Sequence, residues 1–413
     1  MNFSPRWKNR RSERGQILPM FVVLLPVLLL FVGITIDFGM AYVTKTALSR
    51  AADAAALAAM RNVNLGQAEA TQLATAAFNA NYSAFGNSSA TPPSVNVAIT
   101  TNSSNNTVVN VNATTALSSY FLGLLSGFKT VNVSTLSQTT RPKLIMSLVL
   151  DKSGSMNKNG GATALPPAVT NFLTYFDDST DQVAEVSFST LSSIDVPMTT
   201  GFTSPITSAV DGMKFGGATF TQAGLQGGLD QINSVQVASG ENVVKVMVFF
   251  TDGWANTVED TMSCPSSTQL ELGGCSPPEY GVWCHPRRIP FMDPTTGANA
   301  SCAGATTFYS EAAGANLSLG PTVLDGLTNI AQDALYRANV VAETARQDDI
   351  VVYSIGLGDK ISEPFLQQIA NDPASTSFNG NEPVGEAVFA PTSAELQGVF
   401  QEIANKILLR ISQ

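Results

Sequence analysis

A chain of 413 residues, 44% of them hydrophobic, has room for about two or three domains and a sizeable core. Its net charge of −10 argues against nucleic acid as a ligand, because phosphate binding needs a basic footprint, and is compatible with metal cations. One histidine, His285, leaves little room for a histidine base, a His-rich zinc site or a Ser-His-Asp triad, so the sequence points away from most hydrolases.

The first fifteen residues oppose Arg6, Lys8, Arg10, Arg11 and Arg14 to Glu13 alone. Directly after them Ile17 to Ile36 runs twenty residues without a charge, enough to cross a bilayer, and Asp37 follows. The positive-inside rule keeps the basic tail, 1–16, in the cytoplasm and sends the remainder across. The apolar run is long for a cleaved signal peptide, and no small-x-small site follows it closely, which favours a permanent single-pass anchor over 17–36. Pro19 and Pro26 are tolerable kinks within it.

Phe38 to Met60 is alanine-rich and predicts that the helix continues beyond the membrane. Helix propensity explains the alanines, and so does close approach of another helix; the two accounts are compatible. From about Ala80 to Thr140 the composition turns to Asn, Ser, Thr and Val. Ser94 to Thr100 and Thr107 to Ala113 alternate apolar and polar residues around Asn102 to Asn106, as a hairpin does, and Val131 to Leu136 predicts another strand. A long helix followed by a small sheet-rich module, over 37–140, has a pilin-like α+β outline. The Asn-x-Ser/Thr triplets at Asn81 and Asn112 read as turn chemistry.

Beyond Pro142, apolar runs at Leu144 to Leu150, Val183 to Phe188, Val243 to Phe250 and Ile350 to Ile355 predict strands. Helical stretches lie at Pro166 to Phe176, Thr221 to Ile232, Thr322 to Gln347, Glu363 to Asn371 and Ser393 to Leu409. This alternation predicts an α/β fold over 141–413, a doubly wound, mostly parallel sheet that binds ligands at the carboxyl ends of its strands.

The chemistry is sought at those ends. Asp151-Lys152-Ser153-Gly154-Ser155 places a carboxylate and two hydroxyls at alternate positions after the first strand. Hard oxygens of low total charge suit Mg²⁺, or Mn²⁺ as a substitute, better than zinc. Serines there also suit a simple helix cap. Gly216-Gly217-Ala218-Thr219 places a third hydroxyl at a helix start, and Thr251-Asp252-Gly253 a second carboxylate at another strand end.

Asp-x-Ser-x-Ser, Gly-Gly-x-Thr and Thr-Asp-Gly, in that order over roughly 143 to 411, resemble the metal-ion-dependent adhesion site of the von Willebrand factor A-domain family. The resemblance implies that Ser153, Ser155 and Thr219 supply hydroxyl ligands, with Thr219 fitting the spacing better than Thr221. It implies that Asp151 and Asp252 hold the ion mostly through water, leaving one position open for an Asp or Glu carboxylate from a protein partner. Arg14-Gly15-Gln16-Ile17-Leu18-Pro19, the span and Ala51-Ala52-Asp53-Ala54-Ala55-Ala56-Leu57-Ala58 are similar to the TadE/TadG-like segment of tight-adherence (Tad, Flp-type) pilus-assembly proteins. Together the two resemble TadG-like proteins and imply a bacterial inner-membrane protein whose C-terminal domain is periplasmic or at the cell surface. Met20 stands where prepilins usually carry Glu, which puts processing in doubt.

Cys264, Cys275, Cys284 and Cys302 all fall in an insertion over 254–320. They contain no C-x-x-C pair, so a translocated chain favours two disulfides over a zinc cluster, with three pairings open. The insertion leaves the sheet after Asp252 and carries Trp254, Tyr280, Trp283, His285, Arg287 and Arg288, residue types favoured as interface anchors. It either selects the partner that reaches the metal or is a decoration packed on its own small core. The expected function is metal-dependent protein binding in Tad-type pilus biogenesis or adhesion, against a pilin-like structural anchor whose metal only stabilises the domain.

Overall fold

In the computed structural model the charge-free run and the alanine-rich run form one continuous helix, α1 (Ile17–Arg61), with Pro26 inside it. The structure describes residues 17–83, 91–103, 106–124, 129–263, 268–274, 307–318, 323–324 and 327–411. These divide into two compact units, the first drawn from residues before Arg141 and the second chiefly from those after Thr140.

In the first unit, nearly every large side chain from Met20 to Val32 of α1 is exposed. Among the described residues this is the one helix long and apolar enough to cross a membrane. The latter half of α1 is different. Leu48, Ala51, Ala52, Ala55, Ala56 and Ala59 are buried, and α2 (Gln67–Asn81) packs here with Ala70, Ala74 and Phe78. Methyl-sized side chains on both helices let the backbones approach closely, so the packing account of the alanines holds here. A three-stranded sheet completes the unit, in the order β1 (Ser94–Thr101), β2 (Thr107–Ser118), β3 (Thr130–Arg141). In β2, Val109, Val111 and Ala113 point into the core at every second position. The helix α2 has no counterpart in the sequence reading, because alanines carry little periodic contrast.

The second unit is built on a six-stranded sheet. Its chain order is β4 (Lys143–Asp151), α3 (Gly161–Leu173), β5 (Gln182–Phe188), β6 (Ser192–Thr199), α4 (Thr203–Asp211), α5 (Thr221–Asn233) and β7 (Val243–Thr251). The chain then makes β8 (Thr257–Ser263), β9 (Thr268–Gly274), β10 (Thr307–Ser310), β11 (Ala315–Ser318) and a short pair, β12 (Val323–Leu324) and β13 (Leu327–Thr328). It returns through α6 (Asn329–Gln347), β14 (Ile350–Leu357), α7 (Glu363–Ala370), β15 (Glu386–Ala390) and α8 (Leu396–Ile411).

The spatial order is β15-β14-β7-β4-β5-β6, with every neighbouring pair parallel except antiparallel β5 and β6. Alternation along β4 explains the two layers. Met146, Leu148 and Leu150 join the core under α3, α4 and α8, whereas Ile145 and Val149 join that under α5, α6 and α7. A strand covered on both faces reads as an unbroken apolar run, which is why the central strands were visible in the sequence.

Several expectations change. The edge strand β6, helix α4 and strand β15 were not expected. The helix expected from Pro166 begins at Gly161, after Gly160 in a left-handed conformation, and contains both Pro166 and Pro167. The helix expected from Thr322 begins at Asn329. The insertion also contains a four-stranded sheet of order β11-β10-β8-β9. Arg337 of α6 ties this sheet down through Asp333 Oδ2 (2.7 Å), Asp260 Oδ2 (2.9 Å) and the carbonyls of Glu259 and Tyr309.

Candidate metal centre

The parallel register puts the ends of β4 and β7 side by side, and the loops that follow them meet a third loop, between α4 and α5. Asp151 closes β4 and is wholly buried. Its Oδ1 accepts the Ser153 N–H at 2.7 Å, and its Oδ2 accepts the Thr251 hydroxyl at 2.6 Å. Ser153 precedes a 3-10 turn, Gly154–Asn157, but its side chain caps nothing. Its Oγ instead lies 2.9 Å from Ser155 Oγ. Ser155 Oγ donates to Asp252 Oδ1 at 2.6 Å, and Asn159 Nδ2 donates to Asp252 Oδ2 at 2.9 Å. Asp151, Ser153, Ser155 and Asp252 thus share one network of oxygens.

The third loop carries Thr219. Gly216 N–H donates to the Lys152 carbonyl at 2.8 Å, and Gly154 N–H to the Gly217 carbonyl at 3.1 Å. Gly217 has φ +91°, and a Cβ there would lie 2.5 Å from Thr190 Oγ1, so glycine is required by both conformation and space. Buried Thr219 is fastened by its backbone, its N–H donating to Asn256 Oδ1 at 2.8 Å and its carbonyl accepting from Asn256 N–H at 3.1 Å. Among the described residues, no hydrogen bond joins the Thr219 hydroxyl to the four-residue network. Thr221 sits two residues on, buried at the start of α5.

Electrostatics set the character of the place. Burial, and secondarily the charge of Asp252, push Asp151 up to about 7, against the lowering effect of its bonds from Thr251 and Ser153. Burial likewise raises Asp252, partly offset by the Ser155 and Asn159 bonds. Among the described residues no Lys or Arg pairs with either carboxylate; Lys152 turns to Asp195 instead. Nor do three His, Cys, Asp or Glu side chains gather among them in an arrangement that could hold a metal ion. What converges is two carboxylates and neighbouring hydroxyls, all hard oxygens lacking a positive partner. That donor set fits a hard divalent cation.

Asn159, Asn256 and Thr190 were missed by the sequence reading. An amide or hydroxyl that only holds another side chain in place carries no spacing signal. Trp254 is half-buried between Asp252 and β8. Tyr280, Trp283, His285, Arg287, Arg288 and the four cysteines, with the disulfides expected of them, lie outside the described residues.

Residues 146–271 match the family model for the von Willebrand factor type A domain, and residues 15–62 match that described as "Putative Flp pilus-assembly TadE/G-like". Among curated proteins none matches the chain. Similar solved structures include the pilus adhesin SpaC from Lactobacillus rhamnosus GG, at 16% identity and TM-score 0.42, covering 77% of this chain and 35% of that one. The chain thus spans about a third of the length of SpaC. Another is the vWF domain of the type V pili tip protein Mfa5 from Porphyromonas gingivalis, at 13% identity and TM-score 0.42, covering 67% of this chain and 98% of that one. A point mutant of the PilB minor pilin from Streptococcus sanguinis, at 14% and 0.42, covers 78% and 79%.

Fold and matched segment define a protein with a von Willebrand factor A-type domain, a class whose members often bind a metal at this rim. More particularly, the chain joins that domain to a TadE/G-like segment of Flp pilus assembly.

Proposed function

We propose that this is a membrane-anchored, non-enzymatic protein of Tad-type pilus biogenesis that uses a bound Mg²⁺ to hold a partner protein. The observation carrying the reading is the buried pair Asp151 and Asp252, joined through Ser153 and Ser155 with, among the described residues, no cationic side chain between them. A divalent ion held by Ser153, Ser155 and Thr219, with the two carboxylates behind, offsets that charge and supplies an electrophile for an Asp or Glu of the partner. Mn²⁺ satisfies the same donors. The residues of this chain position the ion and keep their negative charge low enough for it to accept one more carboxylate.

The exposed apolar part of α1 supports single-pass anchoring over 17–36, with 1–16 cytoplasmic and the domain over 141–413 on the far side of the inner membrane. In this reading the insertion, braced by disulfides among Cys264, Cys275, Cys284 and Cys302, selects the partner through Trp254 and the aromatic and Arg residues beyond it. The alternative is a pilin-like anchor whose ion only stabilises the domain; the α1–α2 packing and its three-stranded sheet favour it.

Calorimetric titration of the full chain in nanodiscs with Mg²⁺ and Mn²⁺ tests the reading. Saturable binding that Asp151→Ala abolishes, with the fold retained, is expected. Absence of binding to the wild type would overturn this reading and the ion-stabilised alternative together, leaving an anchor whose oxygen cluster holds no ion.

A further inference from the structure

We propose that the turn at Tyr120–Leu122 is a second membrane contact, seated at the lipid–water boundary beside α1; this rests on the anchoring reading above. Asp37 is the first charge after the apolar run of α1, yet it is buried within the first unit. Its carboxylate accepts three successive backbone N–H groups, from Tyr120 at 3.0 Å, Phe121 at 2.9 Å and Leu122 at 2.7 Å. These amides open the 3-10 turn Leu122–Leu124, where the backbone has no partner of its own. The turn is therefore fastened to α1 at one level.

Phe121 lies deeper than that level. Its ring fills the notch at Gly33, where an added Cβ would lie 2.3 Å from its Cγ. Gly33 is four residues, about 6 Å along the helix, on the membrane side of Asp37. The ring consequently reaches past the last charge and alongside the charge-free run. Tyr120 and Phe121 remain 56% and 36% exposed, and Val32, Ile36, Phe38 and Tyr42 on adjacent turns of α1 are exposed too.

Two physical arguments select lipid as the occupant. The patch is continuous with the helix surface assigned to the bilayer, so covering it requires no new interface. Aromatic side chains with a polar tip, tryptophan and tyrosine, are favoured where apolar chains meet headgroups. Backbone amides at that depth are costly unless satisfied, and Asp37 satisfies three of them. Asp37 is thus a positioning residue for the turn.

Photocrosslinking of the full chain in phosphatidylethanolamine–phosphatidylglycerol nanodiscs tests the assignment. p-Benzoylphenylalanine is placed singly at Phe121, at Phe31 within the span, or at exposed Ile194 in the second unit, and adducts are read by mass spectrometry. Lipid adducts at 121 and 31 but not at 194 are expected, with Asp37→Ala losing those at 121 and keeping those at 31. Adducts at 31 alone, labelling at 121 that Asp37→Ala leaves unchanged, or coupling of 121 to a second chain would overturn the assignment. Absence of lipid adducts at 31 would remove the anchoring reading and this one with it.

Discussion

Asp151 accepts the Thr251 hydroxyl and Asp252 the Ser155 hydroxyl, and without an ion the two charges oppose one another in a dry setting. Asp151→Asn is therefore expected to stabilise the protein in chelator, by roughly 1–3 kcal/mol after allowing for the altered hydrogen bonds. It is also expected to lose the rise in melting temperature that Mg²⁺ gives the wild type. A melting curve in chelator that falls for the variant would place the repulsion elsewhere. Glu185 is another buried carboxylate, and neither of its oxygens finds a partner. Burial, reinforced by Asp195 and partly offset by Lys152, pushes it from an ordinary 4.5 to about 8. The folded state thus holds this proton more tightly than the unfolded chain does. Stability from this residue is full below about 4.5 and drains away as pH rises towards about 8, by up to about 5 kcal/mol. Glu185→Gln should match the wild type at pH 4.5 and exceed it increasingly up to pH 8 in thermal melts; a constant gap would show that Glu185 is not the titrating group. The two kinds of residue differ in how they announce themselves. Asp151, Ser153 and Ser155 stand at alternate positions of one turn and were readable from the sequence as an oxygen cluster. Glu185 lies inside an apolar strand, where its isolation depends on what the neighbouring elements fail to offer.

At the scale of elements, the sheet inside the insertion is fastened to α6 by the pair Arg337 and Asp333. Arg337 bonds Asp333, Asp260 and two carbonyls, while buried Asp333 also accepts from Ser310 Oγ and Ala312 N–H, each at 2.9 Å. Arg337→Ala leaves Asp333 buried without its counter-charge, which costs about 3–5 kcal/mol. The loss should appear first as faster hydrogen exchange in β8, β10 and the start of α6, with β4 and β7 still protected. Uniform loss of protection across both sheets would mean that the insertion and the main sheet unfold as one. None of this tie was legible in the sequence, since a salt bridge spanning 77 residues leaves no local pattern. The same holds for β6, whose Ser192–Thr199 stretch is exposed at its edge and lacks the apolar run that marks β4, β5, β7 and β14. Burial on both faces writes a strand into the sequence plainly; an edge writes it faintly.

On the scale of the whole chain, everything that builds the candidate centre comes from the second unit. Asp151 to Asn159, Gly216 to Thr219 and Thr251 to Asn256 are carried by strands and helices after Thr140, packed on two cores of their own. We therefore expect residues 141–413 produced alone to fold, and Mg²⁺ to raise their melting temperature as much as it raises that of the full chain. The comparison separates two roles for the N-terminal segment. Equal shifts make it an anchor that delivers a self-sufficient metal-binding domain. A shift confined to the full chain would mean that the ion is bound only when the first unit is present, and the division of labour proposed for the chain would have to be redrawn.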